Sequence, residues 1–189
     1  YYAQFMKAAT SIENAFNNLY NSDKGYSRNT YLYDINPNWI NDFFEYFNIA
    51  EYITDENKKQ ICAGYDKLPA GNSNNDRAPE FNSEWMCEND DVGVNISSRN
   101  QAYGFITTDG ILIVLGGDWG EGCGYLLDTN GPNKGPNLFG RDLFEFYPRT
   151  SCLFPSSYNL WGDTNYKKEC EKEKIYCGLK LIQEGKMNY

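Results

Sequence analysis

The chain has 189 residues, 41% of them hydrophobic, and carries 17 basic against 26 acidic side chains, a formal net charge of −9. That length suffices for one ordinary domain with a real core, and the acidic balance disfavours nucleic acid and any electrostatic hold on anionic membranes. There is no histidine, which excludes Ser-His-Asp and Cys-His nucleophile pairs and His-ligated zinc or iron.

Residues 1–20 read as an amphipathic helix. Tyr2, Phe5, Ala9, Ile12, Phe16 and Leu19 recur at steps of three and four, while Gln4, Lys7, Ser11, Asn14 and Asn18 fall on the opposite face. Asn21, Ser22, Asp23 and Gly25 supply the stop. The chain opens directly inside this pattern without a cap, which fits either a longer helix whose N-terminal part precedes Tyr1 or a short helix with a frayed start. A second helix is signalled by Asn36 as N-cap and Pro37 at the first helical position. Its stripe of Trp39, Ile40, Phe43, Phe44 and Phe47 reads as core. A shorter helix is expected from Thr54 to Cys62.

Residues 64–101 are polar and rich in Gly, Asn, Asp and Ser, with Gly71 to Asp76 as a surface loop. Asn95-Ile96-Ser97 matches a glycosylation sequon. Strands are expected at 105–108 and 111–115, flanking Asp109-Gly110, a strong signal for a tight hairpin in which both turn residues take positive φ. Gly116, Gly117, Gly120, Gly122 and Gly124 form a glycine-rich connection that lacks the Gly-Lys-Ser/Thr ending of a phosphate loop. Further strands are expected at 125–128 and 143–147, then a helix over 176–184 ended by Gly185. The tail from Lys186 to Tyr189 could add to a sheet edge. Helices first and strands later, with no βαβ alternation, predict an α+β fold in which the N-terminal helix packs on an antiparallel sheet.

Six cysteines stand at Cys62, Cys87, Cys123, Cys152, Cys170 and Cys177, an even number with no C-x-x-C spacing. Three disulfides in an oxidising compartment are expected. A Cys62–Cys87 bridge would tie down the polar loop. A Cys170–Cys177 bridge would staple the C-terminal segment, stabilising by about 2.5 kcal/mol on the loop-entropy model. No apolar run is long enough to span a bilayer and no signal peptide is visible, so for a secreted protein the sequence reads as a mature or trimmed form.

The run Ile106-Thr107-Thr108-Asp109-Gly110-Ile111, then Tyr125 to Asn137, then Gly140-Arg141-Asp142-Leu143-Phe144, resembles the heads of type IV pilins and pseudopilins. The strand ending Asp128-Thr129-Asn130-Gly131, followed by Gly135-Pro136-Asn137 and Gly140-x-Asp142-x-Phe144, is similar to minor pilin-like heads. So is the closing helix with Cys177-Gly178, Ile182 and Gly185, and the N-terminal helix agrees in type and place. The resemblance covers residues 1–20 and 103–189. It implies a single pilin-like head over 1–189: residues 1–24 as the second half of a long helix, 26–102 as a variable region, and 103–189 as sheet and C-terminal segment. It further implies a structural subunit of an extracellular pilus, or of a periplasmic pseudopilus, rather than an enzyme. Its partners would be other pilin subunits, and its membrane contact would run through an apolar half-helix absent from this sequence.

Asp128, Asn130 and Asp142 put two carboxylates and an amide around one Gly- and Pro-rich loop, a donor set that Ca²⁺ accepts. Some pseudopilins similarly hold calcium in such a loop. The alternative is that these side chains bond local backbone N–H groups, as Asx turns do. The 16 Tyr, 11 Phe and 4 Trp also allow a secreted module that binds glycan or a host surface, with Trp85, Trp119 and Trp161 in polar loops as candidate contacts. A carboxylate hydrolase drawing on Glu45, Glu80, Glu84 or Asp118 is the remaining reading.

Overall fold

A computed structural model describes residues 1–26, 39–54, 56–57, 60–61, 63, 103–116, 124–138, 140–146, 168, 170–171 and 177–187. The elements in chain order are α1 (Tyr2–Tyr20), α2 (Trp39–Phe44), β1 (Ile49–Tyr52), β2 (Tyr103–Thr107), β3 (Leu112–Gly116), β4 (Gly124–Asp128), β5 (Leu143–Phe146) and α3 (Cys177–Glu184). The fold is α+β: an N-terminal helix and a five-stranded antiparallel sheet in the order β1-β2-β3-β4-β5. Among the described residues, no helix is long and apolar enough to cross a membrane.

Helix α1 has no side-chain cap and no charge in either terminal turn suited to its dipole. Packing holds it instead. Phe5, Ala8, Ile12, Ala15, Phe16 and Leu19 are buried, and the large members contribute about 1.5–3 kcal/mol each. All five residues expected on the polar face are exposed. The buried stripe includes Ala8 and Ala15, while Ala9, expected on it, is only partly buried. The helix ends at Asn21, and Ser22 Oγ donates to the Leu19 carbonyl at 2.6 Å.

The sheet face under the helix follows from register. Phe105 pairs with Ile113, Ile113 with Leu127, and Leu127 with Phe144. Side chains directly opposite in a ladder share a face, so these four form one row, and all belong to the core cluster with α1. Phe5 meets Phe144 at 4.5 Å between ring centroids. Phe16 meets Phe43 of α2 at 4.5 Å, while Phe44 and Phe47 reach Phe105 at 5.2 and 5.0 Å. The aromatic stripe of the second helix is therefore core. The adjacent row, Leu112, Asp128 and Leu143, points to the other face and is equally buried.

Several expectations need correction. The hairpin turn is not one with two positive-φ residues: only Gly110, at φ +84°, is left-handed. The Gly110 N–H donates to Thr107 O and the Thr107 N–H to Ile111 O, so the loop has three residues and a terminal left-handed glycine. The region 26–102 contributes strand β1, which the sequence did not signal because its residues Ile49, Ala50, Glu51 and Tyr52 show no buried alternation. A bulge between Ile49 and Glu51 breaks its register with β2. Lys186 and Met187 form no strand, and Met187 packs on the core instead. Of the helix expected at 54–62, Gln60 and Ile61 are helical, but Thr54 is irregular and Glu56 and Asn57 form a turn, in which the Thr54 N–H donates to Asn57 Oδ1 at 2.7 Å. The Asn36–Pro37 cap, the Asn95 sequon and the 117–123 glycine run lie outside the described residues.

At the C-terminus Cys170 and Cys177 are disulfide-bonded. Both are buried, with Leu181 beside them in the core. The helix that follows stops at Gly185, φ +68°, whose N–H donates to Leu181 O at 2.9 Å. Lys180 is buried on it, with Nζ 3.2 Å from Glu171 and 3.1 Å from Glu184. The Lys180 ammonium thus ties helix α3 to the far side of the disulfide ring.

Candidate functional sites

The loop from Thr129 to Asp142 joins β4 to β5 and, with Asp128 at the end of β4, holds the three residues expected to bind calcium. The structure brings them into one loop and engages each with backbone. Asp128 Oδ1 accepts from the N–H groups of Asn130 (3.1 Å) and Gly131 (2.9 Å). Asp142 accepts from Asn137 N–H on Oδ2 (2.9 Å) and from Leu138 N–H on Oδ1 (2.7 Å). The Asn130 amide donates to the carbonyls of Lys134 and Gly135. Both carboxylates are fully buried, and the N–H dipoles compensate charge that burial alone would not tolerate. Asn137, at φ 52°, donates its side-chain amide to Pro132 O at 3.0 Å.

Three carboxylate oxygens therefore point at backbone N–H groups, whose positive ends oppose a cation. Thr129 Oγ1 and Asn130 Oδ1 are buried without a hydrogen-bond partner in the same loop. In this arrangement both carboxylates anchor the loop through its backbone.

The anchored loop packs against the hairpin turn. Gly131 has φ +82°, and a Cβ built there would stand 2.4 Å from the Gly110 carbonyl oxygen. The two Gly-containing turns thus touch through backbone, a contact available only because Gly131 lacks a side chain.

Beside that turn lies a cleft of 280 Å³ between α1, the segment after α2 and the hairpin. Ala8, Ile111 and Ile113 are its buried apolar residues, and Tyr46 and Phe47 are partly buried. The Thr108 N–H donates to Asn48 O at 2.9 Å, which fixes two of its walls. Lys7 Nζ bonds Asp109 Oδ2 at 2.5 Å, and Thr107 Oγ1 bonds Asp109 Oδ1 at 2.5 Å. The Lys7 bond, with the Thr107 hydroxyl, holds the Asp109 carboxyl below the usual range against a smaller opposing effect of burial. Nothing in the sequence pattern alone paired Lys7 with Asp109, which lie 102 positions apart on two elements.

A second polar cluster ties α1 to α2. Lys24 Nζ reaches Asp42 at 2.6 Å and Glu45 at 3.1 Å, and Tyr26 OH donates to Asp42. Burial pushes the Asp42 carboxyl up, but the Lys24 and Tyr26 hydrogen bonds outweigh it and hold the group low. Glu45, one of the acidic residues considered for hydrolysis, is exposed and paired in this tie. Glu80, Glu84, Asp118, Trp85, Trp119, Trp161, Cys62, Cys87, Cys123 and Cys152 lie outside the described residues. No family model matches the chain, and neither a curated protein nor a solved structure is matched by it.

Proposed function

We propose that this chain is the head of an extracellular filament subunit similar to type IV pilins and pseudopilins, acting by packing and not by catalysis. The observation that carries the reading is the seating of α1. A 19-residue helix leads the chain, buries one stripe against an antiparallel meander and leaves its opposite face polar. A disulfide-stapled helix closes the fold against β5 and that core. In this reading an apolar half-helix upstream of Tyr1 bundles into the filament. The loop bonds of Asp128 and Asp142 and the Cys170–Cys177 staple tie the head's surface segments to its core. Its setting is the cell surface, or the periplasm for a pseudopilus, and its partners are other subunits.

The test is immunogold labelling and immunoblotting of mechanically sheared filaments with antibody raised against this head. The expected result is antigen in the filament fraction and gold along, or at the tip of, the fibres. Antigen recovered only as free protein, with filaments unlabelled, would overturn the reading.

A further inference from the structure

We infer that the cleft between α1, the segment after α2 and the β2–β3 hairpin is a binding site for one neutral pyranose ring. This does not depend on the filament reading.

Two walls of the cleft are fixed to each other by the Thr108–Asn48 backbone bond, the hairpin is closed by the Thr107–Ile111 pair, and the third wall, α1, is seated by the packing of Ala8 and Ile12 in the core. It is therefore preformed, and a ligand need not pay to order it. Its volume of 280 Å³ sits just under the usual range of about 300–1,000 Å³ for small-molecule sites, which suits one ring rather than a chain.

The lining chooses the chemistry. Its one cation and one anion, Lys7 and Asp109, are already joined, so the cleft carries no net charge to select an ion. The surrounding chain, at −9, further disfavours an anion. What remains is an apolar floor of Ala8, Ile111 and Ile113, with Tyr46 and Phe47 presenting partly buried rings. Exposed Asn48, Thr108 and Ser11 add an amide and two hydroxyls. A pyranose has the complementary make-up: C–H faces that lie against an aromatic ring, and hydroxyls around its edge. A vicinal diol offers a donor and an acceptor side by side, which matches the carboxylate and ammonium of the Lys7–Asp109 pair. The charges give hydrogen bonds of the stronger kind.

The experiment is a ¹H–¹⁵N NMR titration of the protein with four probes. These are methyl α-D-mannopyranoside, methyl α-D-glucopyranoside, methyl β-D-galactopyranoside and N-acetylglucosamine. At least one should give saturable shifts confined to the amides of residues 7–11, 46–48 and 107–109. Tyr46→Ala removes the ring and should weaken binding about three- to tenfold, the scale of one aromatic contact. Asp109→Asn keeps the size of a turn residue that is exposed, so it serves where Tyr46→Ala disturbs the fold, and it should weaken binding similarly. Spectra unchanged outside the cleft verify folding of each variant. Absence of saturable shifts with all four probes overturns the inference. So do shifts centred elsewhere, or affinities that both variants leave intact. Filament labelling is unaffected by any of these results, so the two readings fail separately.

Discussion

Replacing Gly131 with alanine tests the contact between the two glycine turns. Gly131 has φ +82°, and the added Cβ would lie 2.4 Å from the Gly110 carbonyl oxygen. Holding an L-residue in the left-handed region costs about 1–2 kcal/mol. Relieving the overlap must move backbone, because the obstacle is a carbonyl in a hairpin turn and not the end of a flexible side chain. Displacements of that kind cost about 1–3 kcal/mol. The sum is about 3 kcal/mol, or a fall in Tm of about 6–12 °C for a chain of this size. Gly25 is the internal control. It has the same φ, +82°, and nothing within 4 Å of its would-be Cβ, so Gly25→Ala should lose only the conformational part, about 1–2 kcal/mol. Urea denaturation followed by tryptophan fluorescence measures both. A Gly131→Ala loss no larger than that of Gly25→Ala would refute the proposed contact.

Asp142→Ala should cost about 2–4 kcal/mol, because it strips the buried Asn137 N–H of its acceptor along with the Leu138 N–H; the same urea series reads it, and a loss under about 1 kcal/mol would count against the anchor. Calcium should leave Tm unchanged at millimolar concentration, since occupancy at a hundredfold over Kd would add about 2.7 kcal/mol and be plainly visible; a rise in Tm abolished by Asp128→Ala would restore the metal reading. Paired alanine replacement of Cys170 and Cys177 should lower stability by at least about 2.5 kcal/mol, the loop-entropy value for a ring this short. Acid should destabilise through Asp42 and Asp109, whose folded pKa values lie below the unfolded 3.8. Their contribution is complete above that value and is lost as pH falls through the folded pKa. Lys24→Met and Lys7→Met should each flatten the urea midpoint against pH below about 4, with the Lys7 effect small because its pair is exposed.

The N-terminal helix, the aromatic stripe of α2, four of the five strands and the closing helix were legible in the chain. Each carries its signal locally: a 3.6-residue stripe in α1, an Asp-Gly between two apolar runs, a glycine after Glu184. The 170–177 staple was open to cysteine arithmetic for the same reason, since its ring is short. Strand β1 was not legible, because Ile49 to Tyr52 pairs on an exposed edge and has no buried alternation to display. The turn type was misread because Asp-Gly allows two hairpin geometries, and the Thr107–Ile111 pairing selects the longer one.

The loop shows the division most clearly. Its sequence determined that Asp128, Asn130 and Asp142 would share one Gly- and Pro-rich turn. Only the tertiary structure decided what they do there, because an oxygen's role depends on which N–H groups face it, and Asn137 and Leu138 reach Asp142 only once the loop has closed. The same holds for Lys7 and Asp109, and for Gly131 against Gly110. Local periodicity specifies elements, whereas contacts between distant positions exist only after those elements have packed.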